Sequence, residues 1–243
     1  MRDVGTFSDR NKAFNEKFSR EIIIAKCFEK ILCPMIFDVG SHHGESLGFF
    51  KEIAPNAQIH CFEPDPESYY ILQKNFPDHE NVHNYAISDK IGEESFYRNP
   101  LSHTNSLNKV NLKSKDSIKI KQEKFSESSE FLDAVNQKVV VPCTTLNFFV
   151  QNYEIESIDL LKVDVQGAEA KVLNGAKNIL NMVEAVIIEI ALFDFYEISN
   201  NFLDIENILI PAGFDLFSIL DISQNPMNGR TDWVELLYRK DEK

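Results

Sequence analysis

From Met35 to Ile87 the chain alternates short apolar runs with amphipathic ones, and this alternation restricts the fold more than any other feature. Met35-Ile36-Phe37-Asp38-Val39-Gly40 reads as a buried strand that opens into a glycine turn. A helix follows from Glu45 to Ile53, stopped by Pro55. Gln58 to Glu63 reads as strand, Pro66 to Phe76 as helix and Val82 to Ile87 as strand. Strand, helix, strand, helix, strand within so few residues demands right-handed crossovers and hence a parallel sheet with helices on its faces. The pattern resumes downstream. Lys138–Val141 reads as strand, then a helix capped by Thr144 or Thr145 ends near Asn152. Ile158–Asp164 is a strand, Ala168–Leu180 a helix and Ala185–Ile190 a strand, followed by a helix over Leu203–Ile210. Phe214–Leu220 and Trp233–Tyr238, joined by the turn-rich SQNPMNGR, predict an antiparallel hairpin at the sheet edge.

Two stretches fall outside this pattern. An amphipathic helix is expected over Ala13–Leu32, with Phe14, Phe18, Ile22 and Ala25 on one face and Pro34 ending it, so residues 1–33 form an N-terminal helical segment. After a short strand over Gly92–Phe96, residues 102–130 are rich in Ser, Lys, Asn and Glu. With few apolar anchors they are expected to form a flexible insertion or lid. A chain of 243 residues is long enough for one well-buried core, so residues 1–243 are read as a single domain.

Charge narrows the partners. With 25 basic against 38 acidic residues the net charge is −13, which disfavours nucleic acid. No apolar run is long enough to span a membrane, and the polar N-terminus is no signal peptide. Cys27, Cys33, Cys61 and Cys143 form no Cys-x-x-Cys pair, which fits reduced thiols and a cytoplasmic location. Nothing in the pattern reads out oligomeric state, and a homo-oligomer is compatible with it.

The chemistry concentrates at strand tips, where open α/β sheets bind ligands. The first strand ends Asp38-Val39-Gly40-Ser41-His42-His43-Gly44. Gly40 permits the tight turn, and Gly44 permits close approach at the helix start. The glycine spacing of a dinucleotide fingerprint is absent, and Asp38 would repel a diphosphate, which counts against a nicotinamide-dependent oxidoreductase. An acid there suits a cofactor with an amino group and a sulfonium. The second strand ends Cys61-Phe62-Glu63-Pro64-Asp65-Pro66, which places Glu63 to accept hydrogen bonds from ribose hydroxyls, beside a loop stiffened by two prolines.

The runs IFDVGSHHGES, CFEPDP, NYAISDKIGEESF, TTLNFF and LLKVDVQGAEAKVLNGA, in that order over Ile36 to Ile190, resemble the FkbM-type methyltransferases that depend on S-adenosylmethionine (SAM). The resemblance implies an α/β, Rossmann-like class I methyltransferase fold. Its sheet would have seven mostly parallel strands, an antiparallel C-terminal strand and helices on both faces. It also implies methylation of a hydroxyl on a sugar, glycan or other small metabolite. Carried onto this chain, Asp38, Gly40, Ser41 and Gly44 match the SAM turn and Glu63, beside Pro64, the ribose-binding acid. Ala86 and Ile87, followed by Ser88 and Asp89, match the segment beside the adenine. Asp164 matches the acid near the methyl group. The family commonly has Glu where Gln166 stands and Asp where Asn147 stands, which argues against a carboxylate network around Asp164 that is catalytic or binds metal.

Methylating an alcohol requires removal of its proton. Asp164 is the first candidate base, and it equally suits an anchor for the methionine end of SAM. Glu169 could face the same cleft or simply favour the helix start. His43 could act as base or merely pack. His103 could be carried in by the lid, and Glu189 could join Asp164 around a divalent ion. Lys109, Lys113, Lys115, Lys119, Lys121 and Lys124 make a cationic strip that is either solvated or shaped for an anionic acceptor. N-methylation remains an alternative, although Asp164-Val165-Gln166-Gly167 lacks the prolines that amine acceptors favour. A non-catalytic SAM-fold binding protein is another.

Overall fold

The computed structural model describes residues 7–114, 134–198 and 200–240. The N-terminal segment is two helices, α1 (Phe7–Asn15) and α2 (Arg20–Ala25), instead of one running from Ala13 to Leu32. Ser19 makes the difference: its side chain accepts a hydrogen bond from the Ile22 amide and starts a new helix. Ile23 and Ile24 are thereby buried while Phe14 and Ile22 are left exposed.

Next come β1 (Met35–Val39), α3 (Glu45–Ile53), β2 (Gln58–Phe62), α4 (Pro66–Asn75), β3 (Val82–His83), β4 (Ala86–Ile87), β5 (Gly92–Arg98) and β6 (Gln137–Thr144). After them follow α5 (Leu146–Asn152), β7 (Ile158–Val163), α6 (Glu169–Gly175), β8 (Val183–Ala191), α7 (Phe202–Leu209), β9 (Phe214–Gln224) and β10 (Thr231–Lys240). Thr145 is the cap of α5, accepting from the Phe148 amide at 3.1 Å, and Thr144 belongs to β6. Two helices end early relative to expectation, α6 at Gly175 and α2 at Ala25.

The main sheet has the order β3-β2-β1-β7-β8-β10-β9, in which β10 runs antiparallel to both neighbours. The terminal hairpin lies at the sheet edge as expected, with β10 beside β8 and β9 outermost. The stretch expected as one strand from Val82 to Ile87 is split. β3 pairs with β2, whereas β4 pairs with β6 in a second sheet of order β4-β6-β5.

Strands buried on both faces read as continuous apolar runs, and their alternate residues feed two cores. Phe37 and Val39 pack with Phe149, Val172 and Leu209 on one face; Ile36 packs with Ile24, Leu47 and Leu72 on the other. Asp38 and Lys162, at even positions with Ile36 and Leu160, fall on the second face.

Part of the expected lid is built into the fold. Ser106, Leu107, Asn108, Val110 and Ser114 are buried. The Tyr97 amide donates to the Ser106 carbonyl at 2.7 Å, and the Asn111 amide donates to the Phe195 carbonyl at 2.7 Å. Lys115, Lys119, Lys121 and Lys124 lie outside the described residues.

One polar pair interrupts the aromatic packing around Phe149. His60 on β2 and His83 on β3 share a hydrogen bond, Nδ1 to Nε2 at 3.1 Å, against the rings of Phe62, Phe149 and Tyr153. Burial lowers both imidazoles to about 4. Depressed histidines stabilise the fold above their unfolded value of about 6.5, and that contribution is lost as the pH falls towards about 4. Proton NMR titration should give both rings midpoints near 4. An ordinary midpoint for either would contradict the packing.

Candidate functional site

A cleft of about 680 Å³ lies over the carboxyl ends of β2, β1, β7 and β8. Gly40 and Gly44 make its floor possible. Gly40 has φ +88°, and a Cβ there would fall 1.9 Å from the Asp164 carbonyl oxygen, so only glycine lets the tips of β1 and β7 approach this closely. Gly44, at φ +96°, starts α3, where a Cβ would lie 2.4 Å from the Phe76 ring. The Gly40 and Ser41 amides both donate to the Phe62 carbonyl, at 3.0 and 3.1 Å, which ties the turn to β2. The Ser41 hydroxyl donates to the Asp38 carbonyl at 2.7 Å.

Glu63, at the tip of β2, lines the cleft although it is largely buried. Its two oxygens accept from the His42 amide at 2.9 Å and the Asp65 amide at 2.8 Å. Burial still dominates and pushes the carboxyl up to about 8. Each oxygen retains a second lone pair for a ligand hydroxyl. Pro64, Ala86 and Ile87 line the same end.

Asp38 does not reach the cleft. It is fully buried beneath the turn, neither carboxylate oxygen accepts a hydrogen bond, and its partner is the Lys162 ammonium at 3.7 Å. Burial raises its carboxyl and Lys162 opposes the rise. Lys162 also reaches Asp164 at 3.3 Å. Burial works against that ammonium, yet Asp164 and Asp38 outweigh it and hold the lysine above its ordinary range. The sequence reading passed over Lys162; the available signal was a cation inside the otherwise apolar strand IDLLKV.

The loop after β7 carries the densest polar network. Gln166, at φ +57°, donates from Nε2 to Asp164 Oδ1 at 2.9 Å and to Glu189 Oε1 at 3.1 Å. Its Oε1 accepts from the Tyr196 hydroxyl at 2.9 Å. Glu189 lines the cleft at the end of β8, and burial followed by the Asp164 charge raises it to about 8. The amide of Gln166 thus links the two carboxylates. Asn147 stands apart, accepting from the Asn178 amide at 3.1 Å on the outside of α5.

Glu169 lies beneath this loop and does not line the cleft. It accepts from the Gly167 amide at 2.9 Å, the Val165 amide at 3.3 Å and the Asn200 side chain at 3.3 Å, and burial raises it to about 7. Its role is to brace the loop. His43 also falls outside the cleft: it faces a smaller neighbouring cavity with Asp65 and Arg98, while partial burial and the His42 ring lower its basicity. The cleft receives His42 and His103. His42 meets Glu45 at 3.2 Å and the Ser102 hydroxyl at 2.8 Å. The ligand atoms of His42, His43 and Glu45 lie within 4.8 Å of one another, so among the described residues this trio has the spacing to hold a metal. The insertion supplies further support, since Ser106 Oγ donates to the Gln166 carbonyl and Asn108 Nδ2 to the Gly167 carbonyl, both at 2.7 Å.

Residues 38–216 match the model of the methyltransferase FkbM domain. The chain is 30% identical to the 2-O-methyltransferase NoeI of Sinorhizobium fredii over 166 residues, 68% of this chain and 66% of that protein. It is 28% identical to the hexuronic acid methyltransferase AglP of Haloferax volcanii over 159 residues, 64% of this chain and 55% of that protein. The structure of an FkbM methyltransferase from Methylobacillus flagellatus superposes with a TM-score of 0.50 at 15% identity, covering 86% of this chain and 44% of that one, a likeness of fold.

The buried charge pair predicts strongly non-additive mutations. Lys162→Met leaves Asp38 without its partner and should cost about 3–5 kcal/mol, whereas Asp38→Leu combined with Lys162→Met should recover most of that loss. A denaturant-unfolding cycle measures both.

Proposed function

Since the chain belongs to the FkbM methyltransferase family, we propose that it is a SAM-dependent O-methyltransferase acting on a sugar hydroxyl. The observation that carries the cofactor assignment is Glu63: a carboxylate held by two backbone amides at the tip of β2, next to the Gly40–Gly44 turn and in the same cleft as Ala86 and Ile87. The residues fit the cofactor. Glu63 has lone pairs for ribose hydroxyls, Pro64, Ala86 and Ile87 offer apolar surface to the adenine, and the acidic cleft suits a molecule with a sulfonium and an amino group. When bound, SAM supplies an electrophilic methyl group on positive sulfur. The names of relatives support oxygen as the acceptor atom and a sugar as its bearer, one being a 2-O-methyltransferase and another a hexuronic acid methyltransferase. Four free cysteines support a reducing, cytoplasmic setting. Among the described residues no helix is long and apolar enough to cross a membrane.

The protein's own task is to hold the nucleophile in line, exclude water and take its proton. Asp164 and Glu189, bridged by Gln166, are the carboxylates at the point where β7 and β8 end. With SAM bound as methyl donor, this pair would take the proton from the acceptor hydroxyl. Lys162 and Gln166 fix Asp164 from two sides.

S-adenosylhomocysteine should bind in calorimetry, and Glu63→Ala should weaken it about tenfold or more. No binding by the unmodified protein would overturn the cofactor assignment. Glu189→Gln should lower methyl transfer by about 10²–10⁴ while sparing homocysteine-adduct binding, and EDTA should have no effect. Activity should rise with pH through about 8 as Glu189 loses its proton. That limb should disappear in the glutamine variant.

A further inference from the structure

We propose that the end of the cleft beyond Asp164 is a subsite for a neutral sugar ring, stacked on the rings of Phe193, Phe195 and Trp233 and closed to acceptors that carry negative charge. The inference rests on the methyl-transfer reading and adds to it the place and the charge of the acceptor.

Sheet order supplies the first argument. Along the rim the tips run β2, β1, β7, β8, β10 and β9, with strands about 4.8 Å apart. Glu63 and Gly40 stand at the first two tips and Asp164 at the third, which is the stretch assigned to the cofactor. Beyond it lie Glu189 and Ala191 on β8, Trp233 on β10 and Ser223 on β9, all lining the same cleft. Because β10 is reversed, its first residues come to the rim where β8 ends: Trp233 pairs with Ala191 on one side and with Ser223 on the other. Two or three strand spacings, about 10–15 Å, are enough for one sugar ring and its link to the next.

The walls fit such a ring. Phe193 and Phe195 meet edge to face at 5.6 Å, and Phe195 meets Tyr196 edge to face at 4.8 Å, which makes an aromatic corner. The Arg230 guanidinium lies 4.3 Å from the Phe193 ring centre and is held by Asp232 through Nε at 3.0 Å and Nη2 at 2.7 Å. Phe193, Phe195 and Trp233 are each only half-buried while lining the cleft. A pyranose presents a C–H face to such rings and hydroxyls at its edge, for which Asp232 and Ser223 are acceptors.

Charge supplies the independent second argument. Glu45, Glu63, Asp164, Glu189 and Asp232 line the cleft, and the two cations nearest them are already engaged, Lys162 by Asp38 and Asp164 and Arg230 by Asp232. The lysines that suggested an anionic acceptor do not alter this among the described residues. Lys109 lies over the Tyr97 ring at 5.4 Å, and neither it nor Lys113 lines the cleft. Above about pH 8, where Glu189 is ionised, a carboxylate or phosphate brought beside Asp164 and Glu189 would meet like charge.

Trp233 is the chain's single tryptophan and so reports on the subsite directly. The test, run at pH 9 so that Glu189 is ionised, titrates full-length protein, saturated with S-adenosylhomocysteine, with methyl glycosides of glucose, galactose, mannose and N-acetylglucosamine, and with those of glucuronic and galacturonic acid. A saturable change in Trp233 fluorescence is expected with at least one neutral glycoside, and the uronides should bind about tenfold more weakly or worse. Phe193→Ala should weaken the neutral glycoside about tenfold without changing adduct affinity, and Asp232→Asn should narrow the gap to the uronides. Uronides binding as tightly as neutral glycosides, or no saturation by any neutral glycoside at tens of millimolar, would overturn the subsite while leaving the cofactor assignment standing. Failure of S-adenosylhomocysteine to bind is a separate result that removes the methyl-transfer reading beneath it.

Discussion

Lys162 sits between Asp38 and Asp164, and the rim of the sheet is organised around it. The tips of β1 and β7 must come within backbone contact, since the Asp164 carbonyl occupies the space of the missing Gly40 side chain. Each tip also carries a carboxylate. Two such charges at close range in a poorly solvated interior repel strongly, and an ammonium placed between them reverses the sign. The arrangement is costly to desolvate, so its contribution is less to net stability than to the uniqueness of the register that pairs Asp38 with Lys162. The turn, the cleft floor and the orientation of Asp164 all follow from that register.

Above this floor the two ends of the cleft are built differently. The end near β2 and β1 consists of short parallel strands and backbone amides with few adjustable parts. The end near β8 and β10 consists of aromatic side chains on a loop and on the terminal strands. Gln166 stands at the junction. As an amide it can donate to two carboxylates and accept from a tyrosine at once; a glutamate there could offer neither donated bond and would add a third negative charge. At this position the amide therefore links Asp164 and Glu189 by hydrogen bonds that a glutamate could not donate.

Much of this was legible in the sequence because the signals were local. A buried strand followed by glycine, an acid and proline at the second strand tip, and an acid after an apolar run each declare themselves within a few residues. What escaped depended on distant partners. Ser106 and Asn108 look like solvated loop residues until their side chains are seen capping the carbonyls of residues 166 and 167, which is why a stretch read as mobile is partly core. His42 and His43 are neighbours in an ambiguous turn, and only the left-handed backbone of His42, at φ +46°, decides which one enters the cleft. Glu169 has the charge of a catalytic group, but its three hydrogen bonds are directed into the protein. The break before α2 turned on one capping serine, which a long apolar periodicity hides.

The reversed β10 also bears on how such a protein diversifies. A parallel strand delivers to the working rim only the residue at its end, so each such tip is tied to the crossover helix that follows. An antiparallel strand delivers its beginning, and the link that precedes it, residues 225–230, is a surface turn free of the core. Lengthening or recolouring that turn would change what Trp233 and Asp232 present to the cleft while the glycine turn, Lys162 and Glu63 stay in register. The two ends of the cleft can thus vary separately on one sheet.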